Sequence, residues 1–286
     1  MTKPETRIDY GRRIARVTGH IAEHLDADLD VESLASVAHF SPWHFHRIYR
    51  ETTGETAAET VRRLRLHRAA VELTRDDTPL ERVARRAGYG TLAAFSRAFS
   101  ADYGVPPGAY RLRGQIVPPS PQRTREPLVM YATEIAPFAS VHLAAISHRG
   151  DYQKIGHTFE QLSAWAGARG LLGPATRPIG IYYDDPLTIP EKDLRAEAGI
   201  TVAANTPMEG NVHAIDIPSH LCASVLHKGP YAELERPYRY LFREWLPQSG
   251  YEPADHSCFE EYLNNPRELP ASEWLTRVYL PLKGST

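Results

Sequence analysis

Apolar residues recur at intervals of three and four from Tyr10 onward, through Ile14, Val17, Ile21 and Leu25, the spacing of one helical face. The same spacing predicts helices over 31–39, 42–53, 56–73, 80–87 and 92–102. The breaks between them carry suitable chemistry. Ser41 is an N-cap candidate, Pro42 fits a first helical position, and Gly54, Gly88, Gly90 and Gly104 tolerate positive φ. Two helix pairs, 31–49 and 80–99, read as helix-turn-helix motifs in tandem, with Arg47 and Arg97 at matching places 50 positions apart. In the first pair Phe45, Ile48, Tyr49 and Thr52 share a packing stripe, which leaves Trp43, His46, Arg47 and Arg50 on the outer face. In the second, Phe95, Ala98 and Phe99 pack, and Ala93, Ser96, Arg97 and Ser100 point outward.

The pattern changes after residue 113. Val117–Pro127 holds four prolines and almost no apolar residue, which predicts an extended connector over 114–127. From 128 to 286 the chain repeats itself. Gly150 and Tyr152 match Gly229 and Tyr231 at an offset of 79, and Gly170 matches Gly250 after one inserted residue. Tyr183 is then set against Tyr262, and Ile181 against Glu260, again 79 apart. Each copy reads as a strand, a helix (about 154–168 and 232–246) and two further strands. The fold class expected is therefore multidomain: an all-α tandem helix-turn-helix domain (1–113), then an α+β domain of two βαββ repeats (128–286), whose paired sheets and helices enclose a cleft.

Composition adds a split. The net charge of −2 conceals +3 over residues 1–113 and −6 over 128–286, a basic front and an acidic back. Cys222 and Cys258, alone of their kind, offer no disulfide framework and no metal spacing, so they read as reduced core residues. The start lacks an apolar signal region and no run approaches the ~18 apolar residues of a membrane span, so a cytoplasmic protein without membrane contact is expected. No phosphate loop, Ser-His-Asp grouping or zinc spacing appears, hence no cofactor and no metal is expected.

Tandem motifs ending in outward arginines make double-stranded DNA the leading partner, because an arginine fork spans O6 and N7 of guanine in the major groove. The segment Ile21–Arg111 resembles the DNA-binding domain of the AraC/XylS family of transcription regulators. The likeness is carried by Ala35, Ser41-Pro42-Trp43-His44-Phe45-His46-Arg47, Gly54, Gly88-Tyr89, Phe95-Ser96-Arg97-Ala98-Phe99 and Pro107-Gly108-Ala109-Tyr110-Arg111. The resemblance implies two three-helix modules joined by the helix at 56–73. It also implies base contacts from Trp43, His46 and Arg47 in one module and Thr91, Leu92, Ala93 and Arg97 in the other; Arg50 and Ser96 join the DNA-binding candidates from their outward helical positions. Leu92-Ala93-Ala94 is poor in hydrogen-bonding side chains for that family, so the second half-site is expected to be read less strictly.

Residues 128–284 resemble the GyrI-like effector-binding domain, through His227-Lys228-Gly229-Pro230-Tyr231, Cys258-Phe259-Glu260-Glu261-Tyr262-Leu263-Asn264 and Val278-Tyr279-Leu280-Pro281-Leu282. By alternation Cys258, Glu260 and Tyr262 share one strand face, and Phe259, Glu261 and Leu263 the other, which is expected to lie on the helices. The resemblance implies that Glu260 faces the ligand, with Tyr183, Tyr262, Tyr152, Tyr231, Trp165 and Trp245 as candidate aromatic walls. A cleft carboxylate among rings suits an organic cation. The function expected is a ligand-responsive transcription regulator, an activator working with RNA polymerase, and not an enzyme. Two alternatives stay open: a small hydrolase using Glu260 beside Tyr262, and a protein-binding module.

Overall fold

The computed structural model describes residues 4–75, 77–114 and 129–284. The proline-rich connector, apart from Gly114, lies outside the described residues. The chain divides into two compact units. One comprises Arg12–His39 and Thr53–Pro127; the other comprises Met1–Gly11, Phe40–Thr52 and Leu128–Thr286.

Seven helices are described in the first 114 residues: α1 (Pro4–Glu23), α2 (Val31–Ala38), α3 (Pro42–Thr53), α4 (Ala57–Arg75), α5 (Leu80–Arg86), α6 (Leu92–Tyr103) and α7 (Pro107–Arg113). Their ends follow local chemistry. Asp30 caps α2 by accepting from the Ser33 N–H at 2.7 Å, and Thr91 caps α6 by accepting from Ala94 at 3.2 Å. Gly104 ends α6 with φ of 74°, a left-handed conformation that suits glycine. At α3 the expected side-chain cap is absent. The Ser41 carbonyl receives the His44 and Phe45 N–H groups, but its buried hydroxyl has no partner among the described residues. Helix α7 had no apolar repeat to announce it. It starts on Pro107 and is held by Tyr110, whose buried ring meets Phe99 and Tyr103 edge-on at 5.2 and 5.3 Å. With Leu66, Leu73, Val83 and Phe95 these rings make the core of the first unit.

The other unit is built on one antiparallel sheet. Its strands are β1 (Thr133–Phe138), β2 (Val141–Arg149), β3 (Pro178–Tyr182), β4 (Arg195–Thr201), β5 (His213–Ile217), β6 (His220–Lys228), β7 (Phe259–Tyr262) and β8 (Leu275–Leu282), in the order β1-β6-β8-β7-β3-β4-β2-β5. The duplication is present, with α8 (Ile155–Gly167) after β2. After β6 comes the helical run α9 (Glu235–Tyr240), a π turn over Leu241–Trp245 and α10 (Leu246–Ser249). Two features differ from the paired βαββ units expected. The halves fuse into a single eight-stranded sheet through β3 and β7, and each copy gains a leading strand that crosses over: β1 pairs with β6, and β5 with β2.

Register corrects two further expectations. Gly180 stands opposite Glu260 and Ile181 opposite Phe259. The sheet's internal symmetry thus relates Tyr182, not Tyr183, to Tyr262, an offset of 80 that follows from the inserted residue. The helix-facing side of β7 is also the reverse of that expected. Phe259 stacks on Tyr279 at 4.8 Å and meets Phe138 at 4.7 Å, while Glu261 is gripped by Arg177 at 2.6 and 2.9 Å. That face already has its own aromatic and ionic partners, so Glu260 and Tyr262 turn to the helices. Cys222 and Cys258 are buried free thiols.

Candidate functional site

On the helix side, a cavity of about 940 Å³ opens around Glu260. The carboxylate is 3% exposed and accepts hydrogen bonds from Tyr238 and Tyr262, both at 3.0 Å. Tyr182 joins them through a hydroxyl–hydroxyl contact of 2.5 Å with Tyr262. Edge-on rings extend the wall: Tyr152 on Tyr182 at 4.9 Å, Phe159 on Tyr262 at 5.4 Å and Tyr231 on Tyr262 at 5.2 Å. Among the described residues Glu260 forms no ion pair. Burial pushes its pKa up to about 7, and the hydrogen bonds from Tyr262 and Tyr238 and the charge of Arg47 pull back against it. Burial, and then Glu260, raises the hydroxyls of Tyr182, Tyr238 and Tyr262 well above their ordinary range.

Gly180 makes this crowding possible. A Cβ there would lie 2.9 Å from the Tyr262 hydroxyl and 2.9 Å from the Tyr182 ring. Gly180→Ala is therefore expected to lower stability by about 1–3 kcal/mol through overpacking. An unchanged urea midpoint would show that the tyrosines have slack.

Of the seven residues expected to line the cleft, Glu260, Tyr152, Tyr231 and Tyr262 do so. Tyr183 lies across the sheet, packed with the Phe138–Phe259 cluster. Trp165 packs beside Leu162 and Ile200 under Arg169, and Trp245 stacks on Tyr251. Tyr182, Phe159 and Tyr238 were not anticipated. Tyr182 was recoverable from the inserted residue; Phe159 and Tyr238 are the matching positions on the two helices, 79 apart.

The two helices expected to read DNA, α3 and α6, differ in this structure. On α6, Thr91, Ala93 and Arg97 are exposed, while Leu92 and Ser96 are half-buried, Leu92 against the core of its unit. Helix α3 departs from expectation. Trp43 is 37% exposed with its ring 5.4 Å from Tyr183, and His46 is half-buried. Arg47 and Arg50, expected on the outer face, are each only 8% exposed. Arg47 donates to Glu235 at 3.3 Å and lies over the Tyr238 ring, 4.1 Å from its centroid. Arg50 donates to Glu235 at 2.6 Å, Glu51 at 2.9 Å and Asp185 at 3.4 Å. His44 is buried, with Nε2 3.0 Å from the Ala254 carbonyl. The part of the outer face of α3 that carries Arg47 and Arg50 is thus covered by acids and a ring from the same unit, while Trp43 stays exposed. Burial opposes the charge on Arg47, but Glu235 and Asp185 more than offset it and its pKa rises.

Comparison with known proteins gives this geometry its setting. The GyrI-like small molecule binding domain family matches residues 132–283. A DNA gyrase inhibitor of Edwardsiella piscicida is 31% identical over 157 residues, covering 53% of this chain and 98% of its own. The Helix-turn-helix domain family matches residues 34–113, and the regulatory protein SoxS of Salmonella typhimurium is 36% identical over 93 residues, 32% of this chain and 87% of its own. The chain belongs to the GyrI-like family and is an AraC-type DNA-binding transcription regulator. The transcriptional activator RclR of Escherichia coli is 39% identical over 83 residues, 29% of each chain. In this regulator the small-molecule-binding domain is the part that carries the Glu260 cavity. Among the described residues no helix is long and apolar enough to cross a membrane.

Proposed function

We propose that this regulator acts in the cytoplasm as an activator that works with RNA polymerase, and that an organic cation bound in the Glu260 cavity sets its output. The observation that carries the effector reading is a buried carboxylate walled by tyrosines and, among the described residues, lacking an ion-pair partner. Such an acid favours a cation, and each ring face adds attraction of about 0.5–2 kcal/mol. RclR, which shares part of the front half, is named as an activator, and this supports the direction of the output. On the DNA side we assign base reading to Trp43, His46, Arg47 and Arg50 of α3, and to Thr91, Leu92, Ala93, Ser96 and Arg97 around the start of α6.

Two measurements test this. Duplexes selected by the protein from a random pool should show a preferred base pair that Arg97→Ala relaxes by about 1–3 kcal/mol of discrimination. A variant with unchanged sequence preference would remove Arg97 from the reader. Lipophilic cations titrated against intrinsic fluorescence should saturate. No response across a varied panel with an intact fold would favour a protein-binding role, for which the gyrase inhibitor relative is the precedent. A Glu260 with a pKa near 7 also meets a requirement for general acid/base work, so turnover of electrophiles by the full chain would favour the hydrolase reading.

A further inference from the structure

Arg47 lines the same cavity as Glu260. Its guanidinium has what a bound organic cation would have: a tyrosine face 4.1 Å away and a carboxylate, Glu235, at 3.3 Å. The ring it covers, Tyr238, is the one whose hydroxyl donates to Glu260. The cavity wall is therefore already occupied, on one side, by a planar cation that belongs to the chain. That cation sits on α3, a helix assigned above to base reading. A side chain 8% exposed and paired with Glu235 cannot at the same time reach a guanine edge.

We propose that Arg47 is a tethered stand-in for the effector: it holds α3 shut against the cavity, and an entering planar cation displaces it and frees α3 for DNA. This rests on the cation reading of the site. Displacement follows from competition for one ring face and from like-charge repulsion beside the buried Arg47 guanidinium, where charges interact more strongly than in water. Arg50 supports the closed arrangement through Glu235 at 2.6 Å and Asp185 at 3.4 Å. The closed state binds neither DNA through α3 nor a cation at Tyr238, so both ligands select the open state. Each then raises the affinity of the other by the same factor.

The probe is benzamidinium, a flat delocalised cation like the group it would replace, with neutral benzamide as control. In the full chain without DNA, Arg47→Ala should tighten benzamidinium binding about tenfold or more, because the competitor is gone. Unchanged or weaker binding overturns the proposal. Glu235→Gln leaves every assigned DNA-reading residue in place. It should raise affinity for a selected duplex several-fold without any cation, and shrink the enhancement that benzamidinium gives the parent protein. Glu191→Gln, at the cavity rim, removes the same charge away from Arg47 and serves as the control for simple repulsion of DNA. Equal effects of Glu235→Gln and Glu191→Gln overturn the latch. The two readings fail separately: if benzamidinium binds nowhere but Glu235→Gln still tightens DNA binding beyond its control, the latch stands and the cation reading falls.

Discussion

Glu260→Gln is expected to weaken benzamidinium binding about 100-fold, roughly 3 kcal/mol, with the fold intact. Glutamine keeps the shape: its Oε1 can accept from one of the two tyrosine hydroxyls and its amide N–H can donate to the other, which turns its own proton away, so the cage survives while the charge is lost. Losing one member of a desolvated charge pair typically costs about 2–5 kcal/mol. The pH profile is more diagnostic than the loss. Only the ionised carboxylate attracts a cation, and its pKa is about 7 in the free protein. Parent affinity should therefore rise about tenfold per pH unit from pH 5 toward 7 and then level off, a proton leaving as the cation enters. The variant should be flat over the same range. Calorimetric titration from pH 5 to 8 gives both results, and a parent profile as flat as the variant's would remove Glu260 from the site.

The helical front half was legible because its signals are local. Ile14, Val17 and Ile21 are buried as their spacing requires, and Phe95 and Phe99 anchor the core of their unit. Thr91 caps the helix it precedes. The face of α3 was not legible, because what covers it is remote in sequence. Phe45, Ile48 and Tyr49 announce one buried side, but Arg47 and Arg50 are buried by Glu235 and Asp185, and no helical repeat connects residues 135–188 positions apart. Charged side chains on a helix usually face water, so a pattern argument assigns them outward.

In the second half the duplication located the acid and three cavity tyrosines, yet one inserted residue misdirected the aromatic wall. Strand faces alternate with every residue, so an error of one in the repeat offset sends the chosen tyrosine across the sheet. Tyr183 and Tyr182 differ by that single step, and only Tyr182 reaches Tyr262. The β1–β6 and β5–β2 exchange was invisible for a different reason. Edge strands carry the same alternation whichever half they join, and only the three-dimensional pairing decides.

Stability against pH should reveal two buried groups working in opposite directions in the same unit. His44 is held neutral: burial lowers its pKa to about 4 from 6.5, and the Ala254 carbonyl only partly restores it. Between those values the unfolded chain takes up a proton that the folded chain refuses. The His44 contribution is therefore full above pH 6.5 and is lost as pH falls toward 4. Glu260 is held protonated, near 7 against 4.5, so its contribution is full below pH 4.5 and is lost as pH rises toward 7. Each difference corresponds to about 3 kcal/mol, with opposite sign in overlapping windows, so in the parent protein they largely cancel. Removing one should expose the other. Glu260→Gln should gain stability relative to the parent as pH rises from 4.5 to 7. His44→Gln, which keeps a donor for Ala254, should gain relative to the parent as pH falls from 6.5 to 4. Urea midpoints of the three full-length proteins, subtracted pairwise at each pH, isolate these groups from the other titrating residues. Difference curves without slope would mean that neither group is desolvated as the packing of His44 on Phe242 and of Glu260 among its tyrosines requires.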